Sequence, residues 1–517
     1  MTKSPFRIAA LVLMAVLLAT NFYRAATQSI VHDEALSWEL YISGPISAIF
    51  QTYTANNHFL ATLLFRISTT FFGDSEFAMR LPSVLAGAWF FWTVFQLCAL
   101  LFSDGWFFLL GFAVLTLNPI LLDFLVAARG YGLAMAGLFW ALFQMLAWFD
   151  DRQRGIGADV LRKRLWKAAI GSAVAVAANF TLLMPVSLLA LAFCVLLLKK
   201  PEPASSPEIP PPPKPRKKSK KSRPEAAPAP TRSYASFLHF VVPVAVLALA
   251  FVLAAPIDMA RTEDLYAGSP TALKSLQSLA KVSFAYADRS GLQQIEHILS
   301  SVAIIFLPVI AVAALVLVST SRAVLASAVG LATFLSSLAV VGSALLLAAA
   351  HLATGIPYPE DRTGIYFVPL TSLAALGLAR ILADLPGFPR WIGFATAAVL
   401  LSFALEFAAQ WNVHSFWVWR YDADTKRVFD ALEAAAKPAA QTGDPIRLGV
   451  SWVFEPALNY YRERHNAAWL APVQRDGFDG ARQFYVVSSD DQKNATLPKR
   501  KQIYRSPLVG TEVAVPQ

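Results

Sequence analysis

Runs of about 20 apolar residues, the length that crosses a bilayer, recur along this chain near 8–28, 83–103, 105–119, 131–149, 166–181, 183–198, 235–255, 297–318, 323–349, 364–382 and 391–410. They predict about eleven transmembrane helices, with Asn179 and Pro185 breaking the 166–198 stretch into two brief segments. His58 to Phe72 is apolar too, but it is short and carries Arg66 at its centre. It is expected to lie in the interface as an amphipathic helix rather than to cross. After the last span the pattern changes. Tyr421 to Ala436 has helical spacing, with Val428, Leu432 and Ala435 on one face. Ile446 to Val453 alternates as a strand does, Glu455 to His465 reads as a helix, and Phe484 to Ser488 reads as a second strand. A small α/β domain of about 100 residues is predicted over 411–517.

Composition supports a membrane class. Of 517 residues, 56% are hydrophobic and 15% charged, whereas soluble domains carry about 25% charged residues. The first apolar segment is longer than a signal-peptide core, lacks a clean small-x-small site and precedes many more spans, so it is read as a retained helix. Cys98 and Cys194 fall inside apolar segments and suggest neither a disulfide framework nor a zinc site.

The net charge of +10 would suit nucleic acid if it were gathered on one face. Instead the basic residues lie between spans. Lys3 and Arg7 place the N-terminus in the cytoplasm, and alternation then puts Arg152, Arg154, Arg162, Lys163 and Arg164 on the same side. The run from Lys214 to Arg223 follows, as do Arg322, Arg380 and Arg390. This is the positive-inside pattern, and it holds only if His58 to Phe72 does not cross. The expected fold class is thus an α-helical polytopic membrane protein with a small C-terminal extracytoplasmic α/β domain. Residues 1–410 are expected to form the transmembrane domain, with outer loops at 31–82 and 256–296 and a basic, Pro-rich cytoplasmic linker at 199–232. Such a linker cannot bury a core and is expected to act as a spacer, with attraction to anionic headgroups as an addition.

Candidate chemistry gathers on the outer side. Asp33 and Glu34 follow the first span directly, and carboxylates at a membrane surface are costly unless hydrated, paired or used. Adjacent residues on a helix point apart, so one is expected to act as general base and the other to pair with a cation. The plain alternative is an acidic cap at a helix start. Arg80, Arg129 and Arg362 each sit at an outer helix mouth, against the positive-inside bias. Together they suit an anionic group such as a phosphate, which guanidinium grips bidentately; ion pairing with Glu76, Asp123 or Asp361 is the alternative. His58 and Tyr131, the latter flanked by Gly130 and Gly132, are candidate pocket residues. No P-loop, dinucleotide fingerprint or His-rich cluster is present, so no cofactor is expected and metal dependence is left open.

These residues, read together, resemble a known family. His32-Asp-Glu-Ala35, Asn57-His58 and the run Phe72-Gly-Asp-Ser-Glu-Phe-Ala-Met-Arg-Leu-Pro-Ser-Val-Leu-Ala-Gly87 are similar to the N-terminal half of GT-C membrane glycosyltransferases of the family-39 group. That group includes protein O-mannosyltransferases and the lipid A aminoarabinose transferase. Ala128-Arg-Gly-Tyr131, and Arg362 with Tyr366 and Pro369, match its later landmarks. The chain departs from it in having Phe59 after His58 where members often have Pro, and Gly130 before Tyr131 where they have a bulkier residue.

The resemblance implies a multi-pass enzyme of the bacterial cytoplasmic membrane that takes a sugar from a polyprenyl-phosphate donor on the outer face. The acceptor would be a lipid, glycan or protein, and Asp33 would be the catalytic carboxylate with Glu34 beside it. A transporter or flippase of a lipid-linked molecule is the rival reading. It asks for charged residues at mid-span, whereas here the ionisable residues gather at the outer ends.

Overall fold

The computed structural model describes residues 4–198, 233–255, 268–285, 291–440, 444–480, 482–493 and 497–517. The expected linker at 199–232 and part of the outer loop at 256–296 lie outside these residues. In chain order the helices are α1 (Pro5–Thr27), α2 (His32–Ser37), α3 (Phe59–Phe72), α4 (Glu76–Phe102), α5 (Trp106–Thr116), α6 (Pro119–Phe124), α7 (Gly130–Gln153), α8 (Ala158–Ala178), α9 (Leu183–Leu198), α10 (Ser233–Ala254) and α11 (Ala272–Phe284). They continue with α12 (Gln293–Thr320), α13 (Arg322–Leu325), α14 (Ala328–Thr354), α15 (Phe367–Asp384), α16 (Arg390–Ala409), α17 (Thr425–Ala440) and α18 (Glu455–Arg464). The strands are β1 (Leu448–Val450), β2 (Phe484–Val487), β3 (Arg500–Arg505) and β4 (Glu512–Pro516).

Among the described residues, nine helical stretches are long and apolar enough to cross a membrane. They are α1, α4, α7, α9 with the turn before it, α10, α12, α14, α15 with the turn before it, and α16. Two of the expected eleven fall short by that measure. The segment at 105–119 is an 11-residue helix, α5, because Asn118 and Pro119 start a new one. The segment at 166–181 is the apolar half of α8, whose first half carries Arg162, Lys163, Arg164 and Lys167. Both nevertheless run the length of the bundle. α5 starts beside Asp104, which accepts a 2.6 Å hydrogen bond from Ser4 Oγ at the head of α1. α6 ends at Asp123, paired at 2.5 Å with Arg24 near the other end of α1. α8 lies along α7 at backbone contact, since a Cβ on Gly137 would sit 2.8 Å from the Gly171 carbonyl.

The bundle therefore has two distinct ends. One holds Ser4, Asp104, Arg380 with Asp384, and Gln153, which donates to the Ala326 carbonyl. The other holds α2, α3 and the C-terminal unit. α3 does not cross: its N-cap is His58, and Ser68 near its far end donates to the Ala78 carbonyl at the start of α4. Fourteen residues reach only about 21 Å, and both ends stay on one side.

The C-terminal unit is a four-stranded sheet in the order β1-β2-β4-β3, with β1 and β2 parallel and the others antiparallel. α17 packs Val428, Leu432 and Ala436 inward and leaves Ala435 half-buried. Its core is not separate from the segment that leads from α1 into α4. Ile30, Ala35, Trp38, Ile42, Phe65 and Met79 belong to one buried cluster with Val428, Val450, Tyr461 and Val486. Residues 411–517 are thus a docked layer in packing terms, built around the loop that the sequence placed at 31–82.

Candidate active site

The π-helical turn Trp38–Ile42 extends α2, and six residues are too few for a stable helix alone. Its surroundings fix it. Glu34 is fully buried and accepts four hydrogen bonds. Arg80 donates from Nε at 2.9 Å and from Nη2 at 2.5 Å, Ala128 N donates at 2.7 Å, and Val31 N at 3.2 Å. Arg80, also fully buried, donates in addition to the carbonyls of Gln28 and Ser29. The pair staples α2 to α4 and to the turn before Arg129. A carboxylate with its lone pairs so occupied is not placed to take a proton. A guanidinium so enclosed does not reach a ligand. Glu34, expected as a catalytic residue, and Arg80, expected as a phosphate ligand, are thus enclosed and paired with each other behind Asp33.

Asp33 points the other way. Its Oδ2 lies 3.5 Å from Arg129 Nη2 and 3.3 Å from Arg362 Nη2, and the side chain keeps 13% of its surface exposed. Burial pulls its carboxyl upward, but Arg129 and Arg362, with His32 and a side-chain hydrogen bond from Trp419, outweigh burial and hold it below the usual carboxylate range. Arg129 is oriented by Asn56 Oδ1 at 2.6 Å, the Ala55 carbonyl at 3.2 Å and Ser37 Oγ at 3.3 Å. Arg362, on the turn Asp361–Gly364, keeps 29% of its side chain exposed. His58 and Tyr131 meet edge to face, ring centroids 5.1 Å apart. Burial, then Arg129 and Arg362, push the His58 ring well below its ordinary pKa, so it stays neutral. Of the residues expected from sequence, Asp33, Arg129, Arg362, His58 and Tyr131 are brought together, with Glu34 and Arg80 directly behind.

Sequence reasoning missed the C-terminal contribution. The Trp419 ring sits 5.7 Å from the Arg362 guanidinium. Asp422, fully buried, accepts from His32 N at 2.7 Å and from Thr425 Oγ1 at 2.9 Å. It thereby satisfies an orphan N–H at the head of α2. The available signal was Trp417-Val-Trp419 directly after the last span, with an acidic residue three positions on.

Two apolar grooves open into the bundle. One, of about 1050 Å³, runs between α11, α12, α14 and α15, and Tyr358, Pro359, Phe367 and Val368, which flank Arg362 in sequence, line it. The other, of about 2050 Å³, lies between α8, α9 and α10, with Phe50 and Gln51 also in its lining. Among the described residues no group of three or more His, Cys, Asp or Glu side chains stands together to hold a metal.

No family profile and no curated protein matches the sequence. Among solved structures, ArnT from Cupriavidus metallidurans in the apo state is similar over 98% of this chain and 97% of that chain, at 14% identity and a TM-score of 0.42. The same protein bound to undecaprenyl phosphate gives 16% identity and a TM-score of 0.38 over the same shares. The archaeal oligosaccharyltransferase AglB from Archaeoglobus fulgidus, solved with an inhibitory peptide and a dolichol-phosphate, matches 94% of this chain and 70% of that chain at 11% identity, TM-score 0.42. Likeness of that degree decides neither family nor reaction.

Proposed function

We propose that this chain is a GT-C-type membrane glycosyltransferase that moves a sugar from a polyprenyl-phosphate donor to an acceptor hydroxyl on the outer face of the cytoplasmic membrane. One observation carries the reading: the Asp33 carboxylate lies between the guanidiniums of Arg129 and Arg362, and the residues that flank Arg362 in sequence line an apolar groove. The groove accepts an isoprenoid tail, and Arg362, between Pro359 and Phe367 of its lining in sequence, meets the phosphate. In the transfer, the acceptor oxygen forms a bond to the anomeric carbon as the bond from that carbon to the phosphate oxygen breaks. The phosphate leaves with the electron pair, and Arg362 and Arg129 stabilise the charge it gains. The acceptor proton passes to Asp33. A carboxylate held below its usual pKa is a weak base, so Asp33 orients the hydroxyl first and takes the proton only as the new bond forms.

Glu34 and Arg80 keep α2 and the turn before Arg129 in register, while His58 and Tyr131 line the sugar pocket. The orientation follows from charge. The basic end of the bundle, opposite Asp33, is the one retained in the cytoplasm. The transporter reading is less well supported, because the buried ionisable groups Arg24, Glu34, Arg80, Asp123, Glu296 and Glu406 belong to the site end rather than to mid-span.

The test is release of lipid phosphate by the purified protein in nanodiscs, offered synthetic polyprenyl-phosphate sugars together with a membrane lipid extract. Asp33→Asn is expected to lower release by about 10²–10⁴-fold, the range for a lost general base, at parental expression. Parental rates in that variant would sink the assignment.

A further inference from the structure

α11 has two working faces. One carries Ser275, Leu279, Ala280 and Ser283 into the apolar groove of about 1050 Å³. The other meets the turn that holds Arg362, where the Asp361 N–H donates to Ser278 Oγ at 2.7 Å. Lys281 lies one turn beyond Ser278 on that second face, and it is exposed. Its ammonium sits 5.7 Å from the ring of Trp417, as the Arg362 guanidinium sits 5.7 Å from the ring of Trp419. Two cations from different elements thus rest on two indoles separated by one residue. An aromatic face attracts a cation without engaging its N–H groups as acceptors do, so Lys281 is positioned with its donors free. Among the described residues no carboxylate ion-pairs with it. Asp361 feels both cations, which places Lys281 and Arg362 in one electrostatic neighbourhood.

We propose that Lys281 is a further donor-phosphate ligand beside Arg362 and Arg129, and that α11 therefore reads both parts of the lipid donor, its tail on one face and its phosphate on the other. The inference rests on the polyprenyl-phosphate reading. A sugar phosphodiester carries one negative charge, and the lipid phosphate it leaves behind gains a second. Asp33 already offsets part of the positive charge of Arg129 and Arg362. Lys281 supplies a further positive charge as the leaving phosphate forms, and its length and exposure let it follow the phosphate outward.

Farnesyl phosphate is the probe, titrated into the full-length protein in nanodiscs, with farnesol as the uncharged control. Lys281→Glu is expected to weaken farnesyl phosphate at least about tenfold, a loss of about 1.4 kcal/mol. Lys281→Arg should stay near the parent, and Lys274→Glu, an exposed site on the same helix, should change affinity less than about twofold. Farnesol affinity should be the same in all. Equal effects of Lys281→Glu and Lys274→Glu would overturn the role of Lys281 and leave the donor reading standing. A matching loss for farnesol would also overturn it, by tracing the effect to the groove wall. A parent protein that binds farnesol but not farnesyl phosphate takes down the donor reading itself.

Discussion

Asp33 and Glu34 are neighbours in the chain but differ in what each faces. Glu34 meets Arg80 in full burial. Removing one partner of such a pair strands a charge and costs about 3–5 kcal/mol. Glu34→Ala and Arg80→Ala are accordingly expected to lower the unfolding temperature sharply in detergent, whereas Asp33→Asn, whose guanidinium neighbours keep other partners or solvent, should stay close to the parent. The pH dependence separates them further. The folded pKa of Asp33 is depressed, so the stability its ion pairs contribute is present above the ordinary value, about 3.9, and is lost only as pH falls through the lower folded value. With His58 kept neutral, neither group should produce a limb in lipid-phosphate release between about pH 5 and 8, on either side of the ordinary histidine value. An acid limb near the ordinary histidine pKa that disappears in His58→Gln would contradict this. Arg129 and Arg362 were legible in sequence because an arginine at an outer helix mouth runs against the positive-inside rule. Arg80 gave the same signal, and its enclosure by Glu34, Gln28 and Ser29 is what sets its surroundings apart from theirs.

At the scale of elements, the helix that carries Asp33 is capped from far away in the chain. Asp422 accepts the His32 N–H and lies 390 residues from it, a contact that no local pattern announces. Burial pushes the Asp422 carboxyl well above its usual range, and its accepted hydrogen bonds from His32 and Thr425 only partly offset this. A carboxyl raised on folding contributes stability that is full below its unfolded pKa and declines as pH rises through the folded one. Asp422→Asn keeps an acceptor for the His32 N–H and abolishes that decline. Asp422→Ala removes the acceptor, which costs about 1 kcal/mol as a lost cap, and should raise amide exchange in the peptide over α2 by about fivefold on that energy. Unchanged α2 protection in the alanine variant would show that other contacts hold the helix. The strands divide the same way. β2 was legible from an unbroken apolar run. β3 was not, because Arg500–Arg505 is an edge strand with polar residues on both faces and scarcely any burial.

For the whole molecule, nine of the expected passages are apolar helices long enough to cross among the described residues, and the other two fall on the α5–α6 pair and the half-charged α8. Hydropathy located them because a lipid-facing helix must be apolar, but it could not foresee where backbone breaks fall inside the bundle. The arrangement predicts sidedness. With Cys98 and Cys194 replaced, single cysteines at Ser75 and Ser489 should react with an impermeant maleimide in intact cells, and one at Ser319, in the last turn of α12, should not. Strong labelling at Ser319 with silence at Ser489 would invert the bundle and put Asp33 in the cytoplasm.

The shared core of the first loop and the C-terminal unit also sets a clock. Tyr461 Oη accepts the Ile30 N–H across 431 residues of sequence, so α2 leaves the ribosome long before the side chains that hold it exist. At synthesis rates of about 5–20 residues per second that interval is roughly 20 to 90 s. During it, an apolar hairpin carrying Trp38, Ile42 and Phe65 waits uncovered at the membrane surface. A chain that stops before its last hundred residues would insert fully and still leave that surface bare, a natural mark for proteases that police unfinished membrane proteins.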